Sequence, residues 1–295
     1  MVAMFDIPLQ VLLGQITIGL VNGCFYAMLS LGLAIIFGLL NVINFAHGAL
    51  YMLGAFGGYL LLQIFGVDYW WSLVIAPIGV GVIGAAIERL FLRRLAGVDH
   101  LYSLLFTFGL AIFLEGIFRD IYGAAGRPYP VPAALRGVVD IGFMRLPVYR
   151  LWIVLASLAM CGGIWLLIEK TKLGSYLRAG TENPRLVQAL GINVPVMITM
   201  TYALGAALAA FAGVLAAPLY QVQPAMGSNL LIVTFAVVVI GGLGSLSGAI
   251  LAGLALGVLE GLSKVIYPEV SSTVVFIAMA AILLIRPAGL MGREA

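Results

Sequence analysis

Long apolar runs alternate with short polar breaks along the whole chain. Windows long enough to cross a bilayer lie at about 9–31, 47–66, 70–92, 102–121, 151–168, 196–217, 229–246, 249–266 and 272–286. The first run continues from Leu9 to Leu40, longer than one span, and meets NVINFAHG rather than a charged loop, which predicts a half-helix or re-entrant break there. The windows at 229–246 and 249–266 are joined by the uncharged GGLGSLSGA. The pattern predicts an all-α, polytopic transmembrane helical bundle with eight to ten membrane segments, some broken or re-entrant, forming one domain over residues 1–295.

Two polar interruptions stand out. Glu169 to Pro195 is the longest polar segment between two apolar halves. Asn183 is placed to cap a helix whose first turn starts at Pro184, and Gly191 suits the position just past its end. A helix of about seven residues is too short to stand alone in water. Leu186, Val187 and Leu190 give it an apolar face, with Arg178, Glu182, Arg185 and Gln188 around it, so its support is either its own bundle or a docking partner. The second interruption, residues 122–150, carries Pro128, Pro130, Pro132 and Pro147, which favour an extended, turn-rich cover over a helix.

Composition fixes the class: of 295 residues, 63% are hydrophobic and 9% charged, where a soluble domain carries about a quarter charged residues. Asp6 is the only charged residue from Met1 to Val67, and Pro195 to Leu259 holds none. Only lipid or neighbouring spans can solvate such runs. The net charge of +3 is spread through loops and gives no case for nucleic acid. Cys24 and Cys161 lie in apolar stretches without metal-ligand spacing and read as small hydrophobes. MVAMFDIP lacks a basic region, so the first apolar run is expected to remain as a span.

Parity of the spans groups Arg89, Arg93, Arg94, Lys170, Lys172, Arg178, Arg185, Arg286 and Arg293 on one side. Arg119, Arg127, Arg136, Arg145, Arg150 and Lys264 fall on the other. Nine against six favours the first group as cytoplasmic. On that reading the C-terminus is cytoplasmic, the N-terminus is external, 169–195 is a cytoplasmic loop and 122–150 an external one.

Small residues recur at four-residue spacing in Gly205, Ala209 and Gly213, in Gly244 and Gly248, and in Gly253 and Gly257, as close helix packing in lipid requires. Gly241, Gly242, Gly244 and Gly248 are too dense for a simple helix and suit a pliable break at a gate. Glu115 precedes Arg119 by four, as Glu260 precedes Lys264, so each acid and base read as a structural pair on one helix face. The remaining intramembrane polar groups are mostly amides and hydroxyls. Such a lining suits a neutral or zwitterionic solute, whereas ion-driven carriers need intramembrane carboxylates or bases. Asn41, Asn44 and His47 repeat at helical spacing and could line a path on one face, although a single His in a span is more often a hydrogen-bonded core residue. No catalytic triad, metal cluster or nucleotide-binding fingerprint is present, so the chain is not expected to be an enzyme or to hold a cofactor or metal. Uphill transport would draw its energy from a partner chain. An ion-independent channel or secondary carrier for a small neutral solute, such as urea or an amide, remains the alternative.

The stretches GLLNVINFAHGALYMLGAF, TFGLAIFLEGIFRDIYG, LRAGTENPRLVQALGINV, FAVVVIGGLGSLSGAILAGLALGVLE and IRPAGLMG resemble, in order and over about Gly14 to Gly292, the signatures of the LivH-type permeases of branched-chain amino acid ABC transporters. The resemblance implies a permease domain in the bacterial inner membrane, paired with a LivM-type second permease, two cytoplasmic ATPases and a periplasmic substrate-binding protein. It implies alternating access, with branched-chain amino acids or a related small solute as cargo. It makes Ala179 to Gly191 a coupling helix docked on an ATPase, with Arg178, Glu182, Asn183, Pro184, Arg185, Leu186, Leu190 and Gly191 at the contact. Tyr26, Asn41, Asn44 and His47 are then expected along the substrate route, with Gly241, Gly242, Gly244 and Gly248 as gate or packing glycines.

Overall fold

A computed structural model describes residues 8–40, 44–95 and 98–292. The absence of charge from Leu9 to Leu40 leaves nothing to end a helix, and α1 (Leu9–Leu40) runs unbroken for 32 residues, about 48 Å at 1.5 Å per residue. The break expected at NVINFAHG falls partly outside the described residues, which leave out 41–43. Asn41 lies outside the described residues, and α2 (Ala46–Phe65) follows. Next come α3 (Tyr69–Ile87), a π-helical turn at Glu88–Leu92, the short α4 (Arg93–Leu95) and α5 (His100–Tyr122). The second half contains α6 (Val148–Glu169), α7 (Lys172–Glu182), α8 (Pro184–Ala189), α9 (Val194–Tyr220), α10 (Met226–Gly241), α11 (Leu246–Ile266) and α12 (Val274–Ile285). Among the described residues seven helical stretches are long and apolar enough to cross a membrane, and α10 and α12 are shorter apolar helices of 16 and 12 residues. The architecture is the polytopic helical bundle expected from the apolar windows.

The proline-rich interruption adds a small element that the all-α reading lacked. Strands β1 (Val138–Asp140) and β2 (Arg145–Pro147) pair antiparallel with Val139 opposite Leu146. The Asp140 carboxylate accepts the Gly142 amide at 2.9 Å, fixing the turn, and Gly142 takes φ 87°. A short aspartate closing its own turn is a tertiary-independent signal, but three-residue strands are too short to show an alternation.

Contacts group the described residues into two compact units: Met1–Ser30, Val131–Gly162 and Val233–Ala295 in one, and Leu31–Pro130 and Gly163–Ile232 in the other. In the second unit α9 is the central helix. A Cβ built on Gly213 would stand 2.1 Å from the Tyr51 carbonyl oxygen of α2, and one on Gly54 would stand 2.2 Å from that of Ala210. On the other flank, Gly84 of α3 meets the Ala206 side chain. Small residues thus let backbones touch where lipid offers no hydrophobic force to join helices. In the first unit the same device joins α11 to α1, with Gly253 against Ala27 and Gly257 against Gly23. Ala236, Val237, Ile240, Ala252, Leu256 and Val275 form this unit's buried apolar cluster.

Candidate functional site

The segment 169–195 builds a helical elbow from its own caps. The Thr171 hydroxyl accepts the Leu173 amide to start α7, and the Asn183 side-chain oxygen accepts the Leu186 amide at 3.1 Å to start α8. Pro184 occupies the first turn of α8, where a missing N–H costs nothing. Gly191 takes φ 86°, and the Ile192 amide donates back to the Val187 carbonyl at 3.3 Å, a left-handed helix stop. The predicted helix thus forms over six residues, with a second helix, α7, in front of it.

The three leucine and valine side chains of α8 divide, where a single apolar face was expected. Val187 is buried with Leu177, Val194 and Met197, while Leu186 is 60% and Leu190 74% exposed. Neighbours along a helix stand about 100° apart, so Val187 and Leu186 cannot both face the bundle. Glu182, Asn183, Pro184, Arg185 and Gly191 are exposed around these two leucines. Arg178 pairs with Glu169 at 3.3 Å, which ties α7 to the end of α6. Two large apolar side chains ringed by polar groups form a surface suited to a protein partner.

The proposed route residues are distributed over both units. Asn44 and His47 lie in the second, where both are buried. Asn44 precedes α2 and does not share a helical face with His47. Its side-chain oxygen accepts the Ala46 amide at 3.1 Å, and its amide nitrogen donates to the Tyr202 hydroxyl at 3.0 Å. His47 packs beneath Gly32, whose Cβ position is 3.0 Å from the ring Cε1. Tyr26 belongs to the first unit and donates to the Glu260 carboxylate at 2.9 Å, which also accepts from Lys264 at 2.5 Å. The Glu260–Lys264 and Glu115–Arg119 pairs both form as their four-residue spacing predicts.

The glycine-dense stretch is a turn between helices. α10 ends at Gly241, Gly242 takes φ 104°, and Ser245 caps α11 by accepting the Gly248 amide at 3.1 Å. Gly241 and Gly248 bring the two helices into backbone contact. The tail after α12 closes this turn: the Leu290 amide donates to Ile240 at 2.8 Å and that of Met291 to Gly241 at 3.0 Å. Two of the carbonyls orphaned at the end of α10 are thereby satisfied. Residue type does not disclose this partner of IRPAGLMG, because a backbone donor leaves no mark in it.

A polar cluster forms just after α3. Glu88 is 2% exposed and accepts from the Thr199 hydroxyl at 2.5 Å, while Arg93 lies 3.4 Å from the same carboxylate oxygen. Arg93 further donates to the Pro195 carbonyl at 2.8 Å and to the Thr199 oxygen at 2.5 Å. An acid and a base five residues apart at the end of an apolar run were the only available signal. They share no face of an α-helix, being about 140° apart at 3.6 residues per turn.

The family described as "Branched-chain amino acid transport system / permease component" matches residues 15–283. The high-affinity branched-chain amino acid transport system permease protein BraD of Pseudomonas aeruginosa is 33% identical over 300 residues, covering 95% of this chain and 96% of that protein. LivH of Escherichia coli K12, which bears the same description, is also 33% identical over the same shares. The probable branched-chain amino acid transport permease LivH of Methanocaldococcus jannaschii is 32% identical over 289 residues, with 90% and 88% covered. No solved structure matches the chain.

Proposed function

The chain belongs to the branched-chain amino acid transport permease family, and on that premise we propose that Glu169–Pro195 is the point at which ATP-driven motion enters this ABC importer subunit. α8 docks in a groove of a cytoplasmic ATPase subunit through Leu186 and Leu190, with Arg185 and Glu182 at the rim. Two such ATPases, a LivM-type second permease and a periplasmic substrate-binding protein complete the importer. The N-terminus is periplasmic and the C-terminus cytoplasmic. Closure of the ATPase pair draws the coupling helices together, and the bundle alternates its access between the two sides of the membrane. The cargo is a branched-chain amino acid or a closely related zwitterion. Tyr26, Asn44 and His47 belong to the route or support its walls, and the Gly241–Gly248 turn gives way as the bundle rocks.

The observation that supports the coupling role is the division of α8: Val187 is buried and anchors it, while Leu186 and Leu190 stay largely exposed on a capped helix. Replacing Arg185 and Leu186 together by alanine is expected to abolish the stimulation of ATP hydrolysis by loaded binding protein, with the permease pair still assembled. Unchanged stimulation would sink the assignment. The same preparation tests the alternative mechanism. Downhill leucine flux through this chain alone in liposomes would make it a channel, and uptake that fails with an uncoupler but survives ATP depletion would make it a secondary carrier.

A further inference from the structure

We propose that Glu88, Arg93 and Thr199 form a transmission joint, a set of positioning residues that makes α3 follow the first turn of α9 when the α7–α8 elbow is pushed. The inference rests on the coupling role of 169–195 and adds the path by which the push leaves it. Val187 of α8 packs on Val194 and Met197 at the start of α9, and a Cβ on Gly180 of α7 would lie 2.6 Å from the Met197 methyl. The elbow therefore presses on the first turn of α9. The first two turns of α9 carry Pro195 and Thr199, and both are held from the stretch just after α3, Pro195 by Arg93 and Thr199 by Glu88.

The π-helical turn makes this grip possible. The Arg93 amide donates to the Glu88 carbonyl, five residues back. The wider turn brings Glu88 and Arg93 onto one face, which a regular α-helix would not do. Proton bookkeeping then orients the cluster. Arg93 can only donate, so it serves the Pro195 carbonyl and the Thr199 oxygen. The Thr199 hydroxyl has one proton and two acceptors, the Pro195 carbonyl at 3.0 Å and the Glu88 carboxylate at 2.5 Å; the shorter, charged contact takes it, and Arg93 serves Pro195. Each of the three groups thus completes another, and Glu88 is buried too deeply for water to replace them. A displaced α9 must carry α3 with it or leave a buried carboxylate short of donors. Farther along, Gly84 and Gly81 seat α3 against Ala206 and the Ala203 carbonyl, so the motion passes into a close-packed pair.

The test uses the whole importer with its binding protein. Thr199→Val and Glu88→Gln are expected to leave subunit assembly intact and lower both uptake and binding-protein-stimulated ATP hydrolysis about ten-fold, the size of one charged hydrogen bond. The double variant should be no worse than the poorer single one, because both break the same joint. Thr199→Ser, which keeps the hydroxyl, should restore stimulation. Wild-type stimulation in Thr199→Val and Glu88→Gln overturns the joint. So does loss of assembly in both that Thr199→Ser shares, which would make the cluster a folding element. The Arg185 and Leu186 double variant separates the two readings: if it loses stimulation while Glu88→Gln keeps it, only the joint fails, and if it keeps stimulation, the coupling role fails first.

Discussion

Asn44 uses both ends of its amide, one on the Ala46 backbone and one on Tyr202, whose ring and hydroxyl are buried within the second unit. Alanine there removes the acceptor of the Ala46 amide at the start of α2 and the donor to the buried Tyr202 hydroxyl, at a cost of about 1–3 kcal/mol. Asn44→Ala is therefore expected to lower the melting temperature of the purified permease pair, and Tyr202→Phe added to it should cost little more. A loss of uptake with no change in melting would instead make Asn44 a substrate contact. The contrast with Asn183 shows what single residues reveal in sequence. Asn183 caps a helix three residues ahead, so its neighbours disclose its role. The partner of Asn44 lies 158 residues away, and only the fold brings Tyr202 to it. Glu88 was hidden for the same reason, since Thr199 is 111 positions away.

Helices in this chain are held by the absence of side chains at chosen places. Gly213 leaves no room for a Cβ, with the Tyr51 carbonyl 2.1 Å from where one would sit, whereas Gly163 on α6 has nothing within 4 Å. Gly213→Ala must push α9 off α2 and is expected to cost about 1–3 kcal/mol, read as lost assembly and a lower melting temperature. Gly163→Ala should be neutral or raise stability by about 0.5–1 kcal/mol, because alanine has less backbone freedom to lose. Equal effects from the two would mean that crowding does not govern this packing. Spacing at four residues announced that Gly205, Gly213, Gly253 and Gly257 would face a neighbour, but not which one. Gly244 takes φ 79° in the turn between α10 and α11, in keeping with a break in the helix at the dense glycines. The π-helical turn at Glu88–Leu92 is not legible in sequence, because an apolar run looks alike whether its turns hold 3.6 residues or more.

The proposed sidedness of the loops rests on the distribution of charge. Nine basic residues against six favour the α7–α8 side as cytoplasmic, and the proposed coupling to a cytoplasmic ATPase requires it. The proposed topology expects the loop that carries the Val138–Pro147 hairpin to be periplasmic. Both loops offer exposed polar positions for a direct assay, Asp140 in the hairpin and Ser175 in α7. The native Cys24 and Cys161 are buried among the described residues and should stay silent to a polar reagent. A membrane-impermeant maleimide is expected to label Asp140→Cys when applied from the periplasmic side, and Ser175→Cys only after the inner membrane is opened. The reverse pattern would place α8 where no ATPase can reach it. Arg185, Leu186 and the Glu88–Thr199 joint would then have no motor, and the charge-poor spans would be left with passive permeation alone.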